Sequence, residues 1–138
     1  MPVGRRRARR EALFLLYQAD LLGLGGTEVI ARGEESEVLA DAYTRTLVEG
    51  VLLHREGLDA ILGRHLQEWS VSRLAPLERN ILRMAAFELS SGSDVPASVA
   101  IDEAVTLAKR YCSEDAGSLV NGVLAAVEEE LGRERRDG

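Results

Sequence analysis

The sequence predicts an all-α protein, a compact bundle of six to seven helices with short connections. The first observation is that apolar residues recur three and four positions apart along nearly the whole chain, which is the spacing of one helix face. The second is that the β-branched residues fall on these same stripes, so that no segment shows the alternation of a half-buried strand. The third is that glycine or proline residues separate the stripes, where they end or begin helices.

The N-terminal half begins with a helix predicted over about residues 8–22, which ends in a glycine-rich turn. Glycine there supplies the left-handed conformation that commonly closes a helix. The polar, acidic segment 27–35 is predicted to be a loop, and Ser36 is the predicted N-cap of the next helix. Gly50 lies within the apolar stripe of that helix and is expected to permit close helix packing, and a bend is expected near Gly57.

The C-terminal half follows an apolar linker that contains Trp69. Pro76 suits the first position of a helix, because its missing N–H would have no helical partner there. Apolar residues cover most of the circumference of the helix over residues 77–89, so this helix is expected to be central and packed on several sides. A helix beginning near Ala97 and a last helix over about residues 115–131 complete the predicted bundle.

The composition is that of a single globular domain of 138 residues, with 46% apolar and 29% charged residues. We divide the chain into an arginine-rich arm at 1–10, expected to be flexible, an N-terminal helical half at 11–75, a C-terminal helical half at 76–131 and a tail at 132–138. No apolar run approaches the roughly 18 residues of a membrane span, so no membrane partner is expected.

One cysteine and two histidines limit the chemistry of the chain. Cys112 has no second cysteine for a disulfide and fits a reducing compartment, so a cytoplasmic location is expected. These three residues do not form a recognised zinc spacing, and no metal or cofactor is expected. His54 and His65 lie beside helical stripes without an evident catalytic partner. We therefore predict that the protein is not an enzyme.

The most unusual segment spans residues 5–10, where five of the 17 basic residues occupy six positions in a chain of formal net charge −6. Without these five arginines, 12 basic residues would face 23 acidic ones, a formal charge of −11. Cations at a helix N-terminus are unfavourable by roughly 0.3–1 kcal/mol each. The segment therefore predicts an anionic partner, with a solvated terminal tail as the alternative. A targeting signal is disfavoured, because the apolar stretch that follows is short and Glu11 and Asp20 lie near it.

Seven short motifs occur in order in the C-terminal half. They are LERNILR at 77–83, FELS at 87–90, SDVP at 93–96, AIDEA at 100–104, LAK at 107–109, ED at 114–115 and VNGVL at 120–124. Together with the arginine run and Tyr17, these motifs resemble the bacterial transcription antitermination factor NusB family. The resemblance covers nearly the whole chain and is strongest over residues 77–124.

The resemblance implies an all-helical fold of two three-helix halves that binds RNA. Members of the family act with a small-subunit ribosomal protein called NusE, and the pair recognises single-stranded boxA-type RNA in nascent transcripts. This recognition loads an antitermination complex on RNA polymerase during ribosomal RNA synthesis. The arginine run agrees with that function, since arginines neutralise phosphates, and an acidic body suits a basic protein partner.

The resemblance also assigns roles to individual residues. The arginines are expected to contact phosphates or bases, and Tyr17 to stack on an unpaired base. Lys109 is expected to add a phosphate contact, with a solvated helix end as the alternative. The full set of predicted RNA-binding residues is Arg5, Arg6, Arg7, Arg9, Arg10, Tyr17, Lys109, Asp115 and Leu119. Relatives can carry an aromatic residue at the position of Leu119. Three residues match the region that meets the ribosomal partner, with a helix surface or a structural ion pair as the alternative: Glu78, Arg83 and Glu88.

Two other functions are compatible with the sequence. One is the RNA-binding module of a ribosomal RNA cytosine methyltransferase, which requires the chain to be a fragment, since it ends at Gly138 without a methyltransferase domain. The other is a helical module that dimerises or binds only proteins, with the arginine run as an inert tail. A monomer and a homodimer both remain open, because the family contains both.

Overall fold

The computed structural model describes residues 4–67 and 70–137, and these residues form six α-helices and no strand. The helices are α1 (Arg5–Leu22), α2 (Gly26–Glu35), α3 (Ala42–Gly63), α4 (Pro76–Ser90), α5 (Ala97–Tyr111) and α6 (Glu114–Asp137), with 3₁₀ turns at Val38–Ala40 and Val71–Arg73. The predicted all-α class is confirmed. Helix α6 extends through residues 132–137, which the sequence assigns to a tail. Trp69 of the predicted linker lies outside the described residues.

Helix α4 lies at the centre of the bundle and packs against α1, α3, α5 and α6. Pro76 occupies its first turn, as predicted. Its buried apolar side chains are distributed around the helix, as its apolar circumference predicts, and they are Ile81, Leu82, Met84, Ala85, Ala86 and Leu89. Because α4 contacts both α1 and α3, one continuous hydrophobic core joins the half formed by α1–α3 to the half formed by α4–α6.

Helix α1 begins earlier than predicted and includes the whole arginine run. Gly4 is its N-cap and has an extended backbone, and Gly23 closes it in the left-handed conformation with a φ of 66°. Ala8 is fully buried, so the turns that carry the arginines pack against the core. The arm expected to be flexible over residues 1–10 is therefore, from Arg5 onward, part of a packed helix.

The prediction of a loop over residues 27–35 is wrong, because this segment belongs to α2. Val29 is fully buried, and Gly33 lies so close to Leu15 and Leu39 that a Cβ atom would overlap their side chains. Val29, Gly33 and the partly buried Ile30 form a short apolar stripe in an otherwise polar segment of ten residues. Packing against α1 and the following 3₁₀ turn therefore stabilises this helix more than its own sequence pattern does.

The start and the bend of α3 also differ from the prediction. Asp41, rather than Ser36, is the N-cap, and its carboxylate accepts hydrogen bonds from the backbone N–H and the hydroxyl of Thr44 at 3.0 and 2.9 Å. The bend lies at His54, which has a φ of −105° and a ψ of 15°, rather than at Gly57.

Gly50 brings α3 and α4 together, as predicted. A Cβ atom at this position would overlap the ring of Phe87, so glycine lets the ring lie against the backbone of α3. Phe87 also stacks on His54, with ring centroids 6.1 Å apart. Through this ring α4 packs closely on α3, and α4 also packs against α1 and α5.

Candidate nucleic-acid interface

The first turns of α1 distribute the five arginines around the helix axis. Arg5, Arg6 and Arg7 are exposed, and Arg10 is half-buried. Arg9 is buried. These residues form one cluster along the sequence, but in a helix neighbouring side chains point in different directions. The cluster therefore divides into four arginines with access to solvent and one that is enclosed by the fold.

Each of the three exposed arginines of α1 donates a hydrogen bond to a carboxylate. The pairs are Arg5–Asp94 at 3.2 Å, Arg6–Glu103 at 2.9 Å and Arg7–Glu11 at 2.9 Å. Such exposed pairs contribute only about 0–1 kcal/mol, so they can exchange for another anion at low cost. The guanidinium of Arg5 also lies over the ring of Tyr43, 4.3 Å from its centre. Arg10 forms no ion pair with any described residue.

Arg9 is a structural residue. Its guanidinium donates hydrogen bonds to both carboxylate oxygens of Glu88, at 2.9 and 2.8 Å, and the Tyr43 hydroxyl donates to the same carboxylate. Burial and the hydrogen bond to Glu88 raise the pKa of Tyr43 to about 12, so the phenol keeps its proton. The donors of Arg9 point into the fold, which does not favour the predicted RNA contact. Glu88 likewise has the structural ion pair that the sequence offers as the alternative to its predicted partner contact.

Arg83 belongs to a second enclosed network. It donates to both carboxylate oxygens of Asp59, at 2.8 and 2.9 Å, and its Nη1 lies 3.5 Å from Asp20. Arg79 donates to both oxygens of Asp20 at 2.6 Å, and Asn80 adds a hydrogen bond at 2.8 Å. Burial acts to raise the pKa of Asp20, but the hydrogen bonds from Arg79 and Asn80 outweigh it and lower that pKa. Arg83 therefore ties α4 to α1 and α3, which is the structural alternative to its predicted partner contact.

Glu78 differs from the other two predicted partner residues because it reaches the surface. It is half-buried in the first turn of α4 and lines two open clefts. The Tyr17 cleft, of about 270 Å³, is lined by Tyr17, Ala75, Pro76, Leu77, Glu78, Tyr111, Cys112 and Ser113. The Leu119 cleft, of about 390 Å³, is lined by Arg73, Leu74, Ala75, Glu78, Ser113, Asp115, Ala116 and Leu119. Because Glu78 lines both clefts, the structure brings Tyr17, Asp115 and Leu119 together on one face.

Lys109 lies in the last turn of α5, close to the start of α6. Its Nζ is 3.9 Å from a carboxylate oxygen of Glu114, and the side chain is exposed. The aliphatic part of the side chain runs across Gly117, where a Cβ atom would lie 2.6 Å from the Cγ of Lys109. Glycine at 117 therefore makes room for Lys109 at the corner that also carries Asp115.

A further group of side chains, absent from the sequence prediction, connects α1 to α5. The rings of Phe14 and Tyr111 meet edge to face, with centroids 5.0 Å apart and an interplanar angle of 78°. The guanidinium of Arg110 lies 5.5 Å from the centre of the Tyr111 ring. On α1, Arg10, Phe14 and Tyr17 lie on one face by helical spacing. That spacing is visible in the sequence, whereas the contact with α5 depends on the tertiary fold.

The Cys112 thiol lies at this face, in the wall of the Tyr17 cleft. Burial and then the nearby Glu78 raise the pKa of the Cys112 thiol, the opposite of the change that activates a cysteine nucleophile. No cluster of three or more metal-binding side chains occurs among the described residues. Within the same residues, no helix combines the length and apolar character needed to cross a bilayer.

The fold defines an all-helical protein with exposed arginines in the first turns of α1 and with two adjacent clefts, one of them lined by Tyr17 of α1 and Tyr111 of α5. A sequence model of the NusB family matches residues 6–129. The chain belongs to the NusB family.

Three comparisons show how closely the chain follows that family. It is 38% identical to the transcription antitermination protein NusB of Bacillus subtilis strain 168 over 127 residues, which cover 92% of this chain and 96% of that protein. It is similar to the solved structure of T. maritima NusB, with a TM-score of 0.82, 31% identity and 94% of each chain covered. It is also similar to a chain in the crystal structure of antitermination factors NusB and NusE in complex with double-stranded RNA, with a TM-score of 0.79, 34% identity, and 91% of this chain and 96% of that chain covered.

Proposed function

We propose that this protein is an RNA-binding transcription antitermination factor that acts with the ribosomal protein NusE on boxA RNA and promotes ribosomal RNA transcription. Membership of the NusB family supports the role in antitermination. Similarity to a structure of NusB and NusE with RNA supports both partners. The observation that carries the proposal is that α1 gives four arginines access to solvent and also supplies Tyr17 to one of two adjacent clefts.

The RNA backbone, in this proposal, is bound by cations of α1 and α5 that have access to solvent. They are Arg5, Arg6, Arg7 and Arg10 of α1 and Lys109 of α5. A guanidinium is permanently charged and can donate two parallel hydrogen bonds to a phosphate. The exposed ion pairs of the three outer arginines exchange for phosphates at low cost. Arg9 is left out of this set, because Glu88 holds both of its donors inside the fold.

The bases, in this proposal, occupy the two clefts. A base in an A-form duplex is stacked and paired, so an open cleft suits an unpaired base in a single strand. Tyr17 supplies an aromatic surface for stacking in one cleft. In the other, Leu119 supplies an apolar wall, and the carboxylate of Asp115 can accept hydrogen bonds from base N–H groups.

Glu78 is the residue that we propose contacts NusE. It lies in the wall that the two clefts share, so a protein bound there would meet RNA that occupies either cleft. The net charge of −6 favours association with a basic ribosomal protein. RNA and NusE would then be bound by one composite surface, and each would strengthen the binding of the other.

We further propose that the whole chain acts as one RNA-binding domain. Helix α4 packs on helices of both halves, so the halves do not present separate surfaces. The domain acts by binding rather than by catalysis, in the cytoplasm, as part of the antitermination complex on RNA polymerase.

The test is equilibrium binding to a single-stranded boxA-type RNA, with and without NusE, across a range of salt concentrations. We expect weak, salt-dependent binding by the protein alone, and tighter, sequence-selective binding with NusE. A variant with alanine in place of Arg5, Arg6, Arg7 and Arg10 should lose affinity and show a shallower dependence of affinity on salt.

The matched control removes the same number of positive charges from exposed positions elsewhere. It carries alanine in place of Arg32, Arg55, Arg133 and Arg136. If both variants lost affinity equally, the effect would be one of net charge, and α1 would not be the RNA-binding segment. If wild-type protein bound no RNA with or without NusE, the proposed function would be wrong.

A further inference from the structure

Two half-buried aromatic rings, Phe14 of α1 and Tyr111 of α5, form an edge-to-face pair that none of the roles described above requires. Arg110 lies over the Tyr111 ring and is exposed. Tyr111 also forms part of the wall of the Tyr17 cleft. The pair therefore lies at the rim of a cleft, in contact with a cation and with solvent.

The position of the pair follows from how α1 and α5 run side by side. Arg6 contacts Glu103, and Phe14, eight positions further along α1, contacts Tyr111, eight positions further along α5. The two helices therefore run parallel to each other, and an equal number of residues separates the two contacts on each helix. The distance from Arg6 to Tyr17 along α1 is roughly 16 Å, at about 1.5 Å per residue. This is about the length of four to five stacked nucleotides at roughly 3.4 Å each.

The charges around the pair favour an anionic ligand. Arg10 precedes Phe14 by one helical turn, and neither Arg10 nor Arg110 forms an ion pair with a described residue. In a chain with more acidic than basic residues, two such cations beside the same aromatic pair offer binding positions for phosphates.

Phe87, the other phenylalanine of the chain, provides a comparison because its ring has a purely structural role. Phe87 fills the space that Gly50 leaves on α3 and stacks on His54. Its environment is explained by the packing of α3 on α4. Phe14 has no comparable glycine partner among the described residues, and its contact with Tyr111 lies at the surface.

We propose that Phe14 and Tyr111 form a stacking site for an unpaired base of single-stranded RNA, and that Arg10 and Arg110 bind the phosphates beside that base. This inference rests on the proposed function and extends it to three residues outside the predicted RNA-binding set, Phe14, Arg110 and Tyr111. Phe14 lies between Arg6 and Tyr17 along α1, and Tyr111 is in the wall of the Tyr17 cleft, so the site places successive nucleotides along one path. Since every base has a π-face, the site contributes affinity rather than choice of sequence.

The experiment measures RNA binding and base stacking together. A single-stranded RNA with a fluorescent adenine analogue at each position in turn is titrated with wild-type protein, with F14L and with Y111L. We expect wild-type protein to quench the fluorescence at one position, and each variant to abolish that quenching and to raise the Kd about fivefold or more. F14Y, which keeps an aromatic ring, should restore both signals.

F87L is the matched control, because it removes the other phenyl ring of the chain. It should retain the quenching at the position that F14L abolishes, and thermal unfolding of each variant checks that the fold is retained. If F14L and F87L bound and quenched the RNA equally, the stacking site would be overturned while the proposed function stood. If the wild-type protein bound no RNA at all, both would be overturned.

Discussion

The Arg9 guanidinium donates two hydrogen bonds to the Glu88 carboxylate, at 2.9 and 2.8 Å, inside the contact between α1 and α4. Both side chains are almost completely buried. This ion pair fixes the first turns of α1 against the central helix, so it determines where the neighbouring arginines emerge. One arginine of the run thereby positions the other four for binding at the surface.

Removal of one partner from this buried pair is expected to destabilise the protein strongly. R9A leaves the Glu88 carboxylate buried without its cation, and we expect a loss of about 3–5 kcal/mol in the free energy of unfolding. R7A, which removes an exposed pair of the same helix, should cost no more than about 1 kcal/mol. Urea denaturation measures both. Equal losses would contradict the structural role of Arg9.

Neutralisation of the carboxylates that pair with the surface arginines is expected to strengthen RNA binding. Arg6 is 85% exposed and Glu103 is 17% exposed, so the carboxylate lies beneath the guanidinium and competes with phosphate for it. E103Q should lower the Kd for RNA about two- to fivefold. D102N removes one negative charge at the adjacent position, where no ion pair is formed by the described residues, and should change the Kd less. Equal effects would show that only net charge matters.

The lowered pKa of Glu130 predicts that the protein loses stability at acidic pH. Hydrogen bonds from Arg64 lower the pKa of Glu130 to about 2, against the opposing effect of burial and with a further contribution from His65. The pKa of Glu130 in the folded protein lies below its ordinary value of 4.5. The ionised carboxylate therefore stabilises the fold fully above pH 4.5, and this stabilisation is lost as the pH falls toward 2.

The measurement is the melting temperature of wild-type protein and E130Q across that acid range. We expect the difference between them to shrink as the pH falls, because the wild-type carboxylate becomes protonated. E129Q, which alters an exposed glutamate of the same helix, should follow the wild-type curve more closely. A difference that does not vary with pH would mean that Glu130 has no depressed pKa.

Two glycines of α3 are expected to respond to alanine in opposite directions. G50A places a Cβ atom against the Phe87 ring, and we expect a loss of about 1–3 kcal/mol in the free energy of unfolding. G57A adds a Cβ atom that meets no described atom within 4 Å, and it should stabilise the helix by about 0.4–1 kcal/mol. Chemical denaturation of the two variants compares them directly. A stable G50A protein would contradict the close approach of α3 and α4.

Local signals in the sequence predicted much of the fold. Pro76 at the start of α4 and Gly23 at the end of α1 act through their own backbone conformations, so their roles are readable without tertiary structure. The apolar circumference of α4 likewise predicted its central place. Helix α2 was missed, because its apolar stripe is short and its packing through Gly33 against Leu15 and Leu39 is a tertiary contact.

The site could be predicted only in part, for the same physical reason. Tyr17, Asp115, Leu119 and Glu78 lie together around two clefts, a proximity that the sequence did not predict, and their predicted roles in binding stay predictions. Arg9 could not be separated from the other arginines, because its burial depends on Glu88, a residue of a distant helix. The contact between Phe14 and α5 depends on the tertiary fold in the same way.

The central claim is that the surface arginines of α1 bind RNA while the enclosed arginines hold the fold together. The most direct test is an NMR titration of the arginine Nε–Hε signals with a single-stranded boxA-type RNA. The signals of Arg5, Arg6, Arg7 and Arg10 should shift progressively as RNA is added, and those of Arg9 and Arg83 should stay in place. Shifts of Arg9 and Arg83 as large as those of the surface arginines, or no shift in any arginine of α1, would contradict the claim.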